Sequence, residues 1–204
     1  MRYRSSQGYS LTPIWVLLVV NFLFFIASLV RPGLMMDLFG LHPISPVRLF
    51  DPSFTEQPWT IITNLFVHGS FWHLFANMIT LYFFGSYVLR LVGETRFLLL
   101  YFGGGILGNA LLLLLASQFP FGVAIGASGA VFALGGALAI MRPRLKVIIF
   151  PLPIPIDLWI AVIGGFLIMS FLPGVAWQAH LGGLVFGFIV GYIFRRRERR
   201  AFWR

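Results

Sequence analysis

The stretch Ala124-Ile125-Gly126-Ala127-Ser128-Gly129-Ala130-Val131-Phe132-Ala133 sets a serine among glycines and alanines, with a long apolar run behind it. Upstream, the apolar residues end at Phe119-Pro120-Phe121-Gly122, which reads as a break, so a helix is expected to restart near Gly126 or Ala127. That puts Ser128 in the first turn, where backbone N–H groups lack intrahelical partners and the helix dipole favours negative charge. An oxyanion formed at such a serine is stabilised by the serine's own backbone N–H. Taken alone, the stretch has a second reading: a small residue at a tight crossing, since Gly, Ala and Ser are common wherever membrane helices touch.

The run that follows decides how this segment sits. Ala127 to Met141 is about 15 residues, roughly 22 Å of helix against a hydrocarbon core of about 30 Å. The chain from Phe119 to Gly126 must then dip below the outer surface without helical hydrogen bonds. Such backbone is tolerated at membrane depth only beside protein or a water-filled cavity. Water near Ser128 is what a hydrolase needs and a structural contact does not.

Composition supports a membrane setting. Of 204 residues, 59% are hydrophobic and only 10% charged, and the mean hydropathy is +0.90. Runs of about 20 apolar residues are membrane spans, and no soluble domain needs this much apolar surface. Cysteine is absent, which excludes disulfides, thiolate metal sites and a cysteine nucleophile.

Taken in order, the segment from Met1 to Ser10 carries Arg2 and Arg4, and Pro13 opens an apolar run from Ile14 to Val30. The run is long for a signal peptide and has no small-x-small cleavage site, so it reads as an uncleaved first span. Arg31 to Pro58 is a long loop with bulky apolar residues (Leu34, Met35, Met36, Leu38, Phe39, Leu49, Phe50). It either lies in the membrane interface or packs against the helices. A second span runs from Trp59 or Phe71 to Leu91, a third from Phe97 to Ser117, and a fourth from Ala127 to Met141. A fifth runs from Ile154 to Phe171 and a sixth from Gln178 to Phe194. The expectation is an all-α polytopic membrane protein of six transmembrane helices. It forms one domain over residues 1–204, with a short tail at 1–12 and a basic tail at 195–204.

Orientation follows from Lys and Arg. With the N-terminus in the cytoplasm, only Arg31 and Arg48 of the fifteen basic residues fall outside, so both termini are expected to be cytoplasmic. This accounts for the net charge of +9 without a nucleic-acid partner. The basic tail reads as a retention signal and an anchor on anionic lipid.

The same basic belts give depth. Ser128 stands 14 residues before Arg142 and His180 stands 15 before Arg195. Asn77 and His73 stand 13 and 17 before Arg90. At about 1.5 Å per residue all four lie roughly 20 to 25 Å up, in one layer within the outer leaflet. Intramembrane histidines are expensive and suggest function.

Small-residue stripes bring the layer together. Gly129, Ala133 and Ala137 recur every four residues on the fourth span, as do Ala179, Gly183, Gly187 and Gly191 on the sixth. Docking these stripes brings Ser128 toward His180, an activated nucleophile and its base. His73 and Asn77 share a face at i, i+4 and suit an oxyanion hole as donors. His68 is off that face and is given a structural role. A metal site is not expected, because no Cys, Asp or Glu lies in that layer, and no cofactor is implied. No acid has a motif tying it to His180: Glu94, Asp157 and Glu198 lie at the cytoplasmic end, and Asp37, Asp51 and Glu56 in the outer loop. A Ser–His dyad remains. Phe132, one turn beyond Ser128, either packs against the His180 ring or simply faces lipid or core.

The motifs Gly126-Ala127-Ser128-Gly129, His73-Leu74-Phe75-Ala76-Asn77 and Ala179-His180-Leu181-Gly182-Gly183 together resemble the rhomboid intramembrane serine proteases, in that family's order and topology. The resemblance implies Ser128 as nucleophile and His180 as general base. It implies an oxyanion hole of His73, Asn77 and the Ser128 N–H, with Gly126, Gly129, Phe132 and Gly183 in support. It also implies substrates that are transmembrane proteins with small side chains before the cut and easily unwound helices, reaching the site laterally past the fifth span near Phe166 to Pro173. The family has Tyr or Phe at the position of Phe132. Many relatives carry Trp-Arg in the first loop, where this chain has Trp59-Thr60. The expected function is hydrolysis of a peptide bond in or near the transmembrane segment of another protein, with the site opening to the extracytoplasmic side. Two alternatives stand beside it. One is a catalytically inactive rhomboid-like binding protein. The other is a small transporter, disfavoured because the polar layer lies near the outer face and carries no charged residue. The oligomeric state is left open.

Overall fold

The structure is a computed structural model that describes residues 10–42, 57–149 and 152–202. Arg2, Arg4, Arg48, Leu49, Phe50, Asp51 and Glu56 therefore lie outside the described residues.

Helix α1 (Thr12–Val30) begins with a proline in its first turn, where the missing N–H is no loss. It buries Ile14, Leu17, Asn21 and Phe25 along one stripe and leaves Trp15, Val19, Phe22 and Leu23 more than half exposed. Apolar residues this exposed, repeated on helix after helix, fit a lipid solvent rather than water. Helix α2 (Pro32–Phe39) follows directly. The chain resumes in a short helix, α3 (Thr60–Thr63), and a 3-10 turn (Asn64–Phe66). This segment satisfies carbonyls left over at the end of α2: Trp59 Nε1 donates to Leu38 O at 2.9 Å, and Thr63 Oγ1 to Phe39 O at 3.2 Å.

Helix α4 (Phe71–Val92) is capped at Ser70, whose hydroxyl accepts from the His73 N–H. A π turn over Leu81–Gly85 interrupts it. Gly93, at φ +83°, makes the reversal into α5 (Glu94–Leu115) within one residue, a backbone angle that glycine adopts without strain. Helix α6 (Ser128–Met141) buries eleven of its fourteen residues. A helix apolar on every side is a central post rather than a surface element. A two-stranded antiparallel hairpin, β1 (Lys146–Ile149) and β2 (Leu152–Asp157), leads into α7 (Leu158–Ser170). Helix α8 (Trp177–Phe202) closes the described chain.

Four of these helices are long and apolar enough to cross a membrane: Thr12–Val30, Phe71–Val92, Glu94–Leu115 and Trp177–Glu198. Ser128–Met141 and Leu158–Ser170 are apolar but shorter.

Helices α5, α6 and α8 meet backbone to backbone. A Cβ on Gly183 would collide with the Gly129 carbonyl oxygen, and one on Gly187 with the Ala133 carbonyl oxygen. One on Gly191 would stand 2.7 Å from Ala137 Cα. The two stripes are thus docked in the register 129–183, 133–187, 137–191. Gly104 and Gly108 of α5 approach Ala133 and Ala179 as closely. Past the end of α6, Arg142 grips the Glu198 carboxylate with both terminal nitrogens, at 2.8 and 2.6 Å.

Several expectations are corrected. Of the two starts left open for the second span, the structure takes Phe71, because Ser70 caps a new helix there. The third begins at Glu94 rather than Phe97. The sixth helix continues past Phe194 to Phe202, through the arginines. The fifth helix begins at Leu158 rather than Ile154, and residues 152–157 form a strand, so the described residues are mainly helical but include a hairpin and an isolated bridge, Leu41–Ala124. Proline is the reason: Pro153 and Pro155 lack an N–H, and Ile154, before Pro155, is driven toward extended backbone. A two-stranded ribbon tolerates them because each strand has a free edge. As for the first loop, α2 packs against the helices. Phe39 packs edge-on to Phe24 at 5.2 Å and Met35 is buried, while Leu34 and Leu38 face outward.

Candidate active site

The approach to Ser128 is non-helical and is held by protein. Leu41 and Ala124 exchange backbone hydrogen bonds at 2.9 and 2.7 Å, and the Gly126 N–H donates to the Asn64 carbonyl at 2.8 Å. Gly126 then turns the chain with φ +112°, a conformation that any side chain would strain. Ala127 is the N-cap and Ser128 the first residue of α6, so the Ser128 N–H belongs to the turn whose donors have no intrahelical acceptor.

His180 lies on α8, one turn into the helix. Because Gly129 and Gly183 let the two backbones touch, its imidazole reaches across. His180 Nε2 lies 2.6 Å from Ser128 Oγ. The ring is 3% exposed, and its Nδ1 has no hydrogen-bond partner among the described residues. What holds the ring is packing. Phe132 lies against it, with centroids 4.7 Å apart, and touches Phe166 of α7 edge-on at 6.0 Å. Of the two readings of Phe132, the structure takes the contact with His180.

Helix α4 supplies the other wall. The His73 ring packs on Gly126 so closely that a Cβ there would stand 2.6 Å from both Cε1 and Nε2. His68, off that face as expected, is buried and meets the His73 ring edge-on with centroids 4.9 Å apart. Asn77, one turn further along α4, is buried and donates one amide N–H to the His73 carbonyl at 2.8 Å. An amide carries two such protons, and the second has no recorded acceptor among the described residues. Ser128, His180 and Phe132 are thus joined by direct contact, and His73 packs on Gly126, two residues before Ser128, with Gly129 and Gly183 at the crossing beneath. Asn77 joins through the His73 backbone.

Two residues of this region were not singled out from the sequence. Asn64 and Asn109 form a buried reciprocal amide pair behind the Ala124–Gly126 segment. The available signal was Asn109 itself, a polar amide within the apolar run of α5.

These features define a class: a helical integral membrane protein with a serine and a histidine hydrogen-bonded between two central helices. A family model of the Rhomboid domain matches residues 55–197, and the chain belongs to the rhomboid family. It is similar to the mitochondrial rhomboid protein 1 of Saccharomyces cerevisiae, with 30% identity over 197 residues, covering 82% of this chain and 54% of that protein. It is also similar to the putative rhomboid protease YdcA of Bacillus subtilis, with 31% identity over 153 residues and 70% of each chain covered. RHOMBOID-like protein 1 of Arabidopsis thaliana is 33% identical over 150 residues, covering 72% of this chain and 37% of that protein. The chain therefore spans about half or less of the length of the yeast and plant relatives. Family membership supports an intramembrane, protease-like function in general terms.

Proposed function

We propose that this protein is an intramembrane serine endopeptidase that cuts other membrane proteins in or near their transmembrane segments. The observation that carries the reading is the 2.6 Å approach of His180 Nε2 to Ser128 Oγ. In the mechanism, Ser128 Oγ bonds to the scissile carbonyl carbon as its proton passes to Nε2. The carbonyl oxygen becomes an oxyanion, held by the Ser128 N–H, the free amide N–H of Asn77 and the His73 ring. The C–N bond then breaks as the Nε2 proton moves to the leaving amine. Water resolves the acyl-enzyme: His180 takes its proton, its oxygen bonds to the acyl carbon, and Ser128 recovers its hydrogen. For Nε2 to accept, the resting proton must sit on Nδ1. A Ser128 hydroxyl that donates to Nε2 favours that tautomer, and with no carboxylate at Nδ1 among the described residues the ring pose rests on Phe132 and the surrounding packing.

The proposed topology has six spans, with Ser128–Met141 and Leu158–Ser170 as the two short ones, both termini in the cytoplasm and the site opening to the outer face. Substrate is proposed to reach it laterally past α7. That helix buries only Leu158 and Val162, and a Cβ on Gly164 or Gly165 would meet nothing within 4 Å. A weakly packed helix is a low-energy place to open, and the Phe132–Phe166 contact connects it to the site. An arriving helix must unwind there, because a hydrogen-bonded helix hides its carbonyls.

The test is labelling of detergent-solubilised protein with a fluorophosphonate, alongside cleavage of a transmembrane substrate. Wild type should label and cleave, and Ser128→Ala and His180→Ala should do neither. Absence of Ser128-dependent labelling would leave an inactive binding protein or a transporter as the better description.

A further inference from the structure

We propose that the buried Asn64–Asn109 amide pair is a positioning device for the Ser128 turn. The inference rests on the reading of Ser128 as nucleophile. Neither side chain is hydrogen-bonded to Ser128 or His180, and the mechanism above does not use them.

The pair is fully committed. Asn64 Nδ2 donates to Asn109 Oδ1 at 3.2 Å, and Asn109 Nδ2 donates back to Asn64 Oδ1 at 2.8 Å. The remaining N–H of Asn64 reaches the Ala124 carbonyl at 3.4 Å, and that of Asn109 the Ile61 carbonyl at 2.8 Å. All four amide protons are used, and the residues are 2% and 3% exposed. One amide pair therefore fastens three pieces of chain: the α3 segment, helix α5, and the strand-like residues before Ser128.

That strand hangs between two supports. On one side Leu41 pairs with Ala124. On the other, Asn64 holds the Ala124 carbonyl with its side chain and the Gly126 N–H with its own carbonyl, the latter at 2.8 Å. Gly126 has φ +112° and lies directly under the His73 ring. Ser128 follows two residues later. A shift of Asn64 therefore moves Gly126, and with it the Ser128 side chain, the Ser128 N–H and the seat of His73 together. Most buried amides stabilise a fold without touching chemistry, but this one holds a carbonyl only four residues before the serine.

Replacing Asn109 with leucine keeps the branching of the side chain, with bulkier ends, and leaves Asn64 Oδ1, one Asn64 N–H and the Ile61 carbonyl without these partners in the interior. The segment must relax. A misplacement of about 1 Å at a reacting group lowers turnover by about a hundredfold. The experiment compares wild type, Asn109→Leu, the milder Asn109→Ser, and Asn21→Ala. Asn21 is an equally buried amide on α1 whose side chain bonds Leu17 O. Each is measured for melting temperature, kcat and KM on a transmembrane substrate, and second-order rate of fluorophosphonate labelling at Ser128, well below its melting point. The expected result is a kcat and a labelling rate about a hundredfold lower in Asn109→Leu, and a smaller loss in Asn109→Ser, with KM within twofold of wild type. Asn21→Ala should be destabilised yet label and turn over normally. If Asn109→Leu does not fold, Asn109→Ser is read by the same criteria. Normal labelling in the folded Asn109 variants, or rate losses that track melting temperature equally at Asn21, overturn the inference and leave the protease reading intact. A wild-type protein that does not label at Ser128 overturns both.

Discussion

Gly183→Ala is the sharpest perturbation this fold offers, because one methyl group falls between the two helices that carry the candidate nucleophile and base. A Cβ at Gly183 would collide with the Gly129 carbonyl oxygen and stand 2.8 Å from its carbonyl carbon and 3.1 Å from its Cα. Carbon contacts are comfortable at about 3.5–4.0 Å. Helix α8 must therefore retreat from α6 by about 1 Å, since both neighbours are backbone and neither can rotate away. His180 sits on the same helix, one turn before Gly183, so its 2.6 Å approach to Ser128 opens to roughly 3.5 Å, beyond hydrogen-bond range. Displacement on that scale lowers turnover by about a hundredfold, or about 2.7 kcal/mol of barrier. The overpacking also lowers stability by about 1–3 kcal/mol. Two sets of variants separate rate from stability. Gly187→Ala and Gly191→Ala crowd the same crossing, against Ala133 and Ala137, but one and two turns further from Ser128, so they should lose stability comparably and rate progressively less. Gly164→Ala points into open space and should keep full rate. The assay is kcat for cleavage of a transmembrane substrate in micelles, paired with thermal melts. A destabilised Gly183→Ala that keeps wild-type kcat, or equal rate losses along the whole stripe, refutes the reasoning.

Three further outcomes are expected. His73→Ala and Asn77→Ala should each lower kcat by about a hundredfold with little change in KM; unchanged turnover rules out the oxyanion role. Gly126→Ala places a methyl 2.6 Å from the His73 ring at φ +112°, and thermal melts should show about 1–3 kcal/mol of destabilisation along with lost turnover. Phe132→Leu removes the ring that rests on His180, worth about 0.5–1.5 kcal/mol, so kinetics should show a loss of about two- to tenfold, while Phe132→Tyr stays near wild type.

Local chemistry made much of this fold readable. The break at Phe119–Gly122 and a helix restart near Gly126 or Ala127, one or two residues before the observed start at Ser128, were legible because Pro and Gly punctuate an otherwise uniform apolar run. The small stripes of α6 and α8 were legible because a four-residue period keeps them on one helical face. Other features were hidden for equally local reasons. The apolar run after Ile154 reads as span until the alternating prolines are weighed, and the Trp59 start competes with Phe71 until Ser70 is seen to cap. Asn64 and Asn109 are 45 residues apart. An isolated amide says that it needs a partner, not which one.

Residue types and their periods were enough by themselves to define apolar helices and two faces able to dock. The register of the docking was decided only in three dimensions. A stripe that repeats every four residues fits its partner equally well after a slip of one turn, and such a slip moves a side chain by about 5.4 Å. Ser128 and His180 are 52 residues apart and meet at 2.6 Å because Gly129 lies on Gly183, a choice made by the joint packing of α5, α6 and α8.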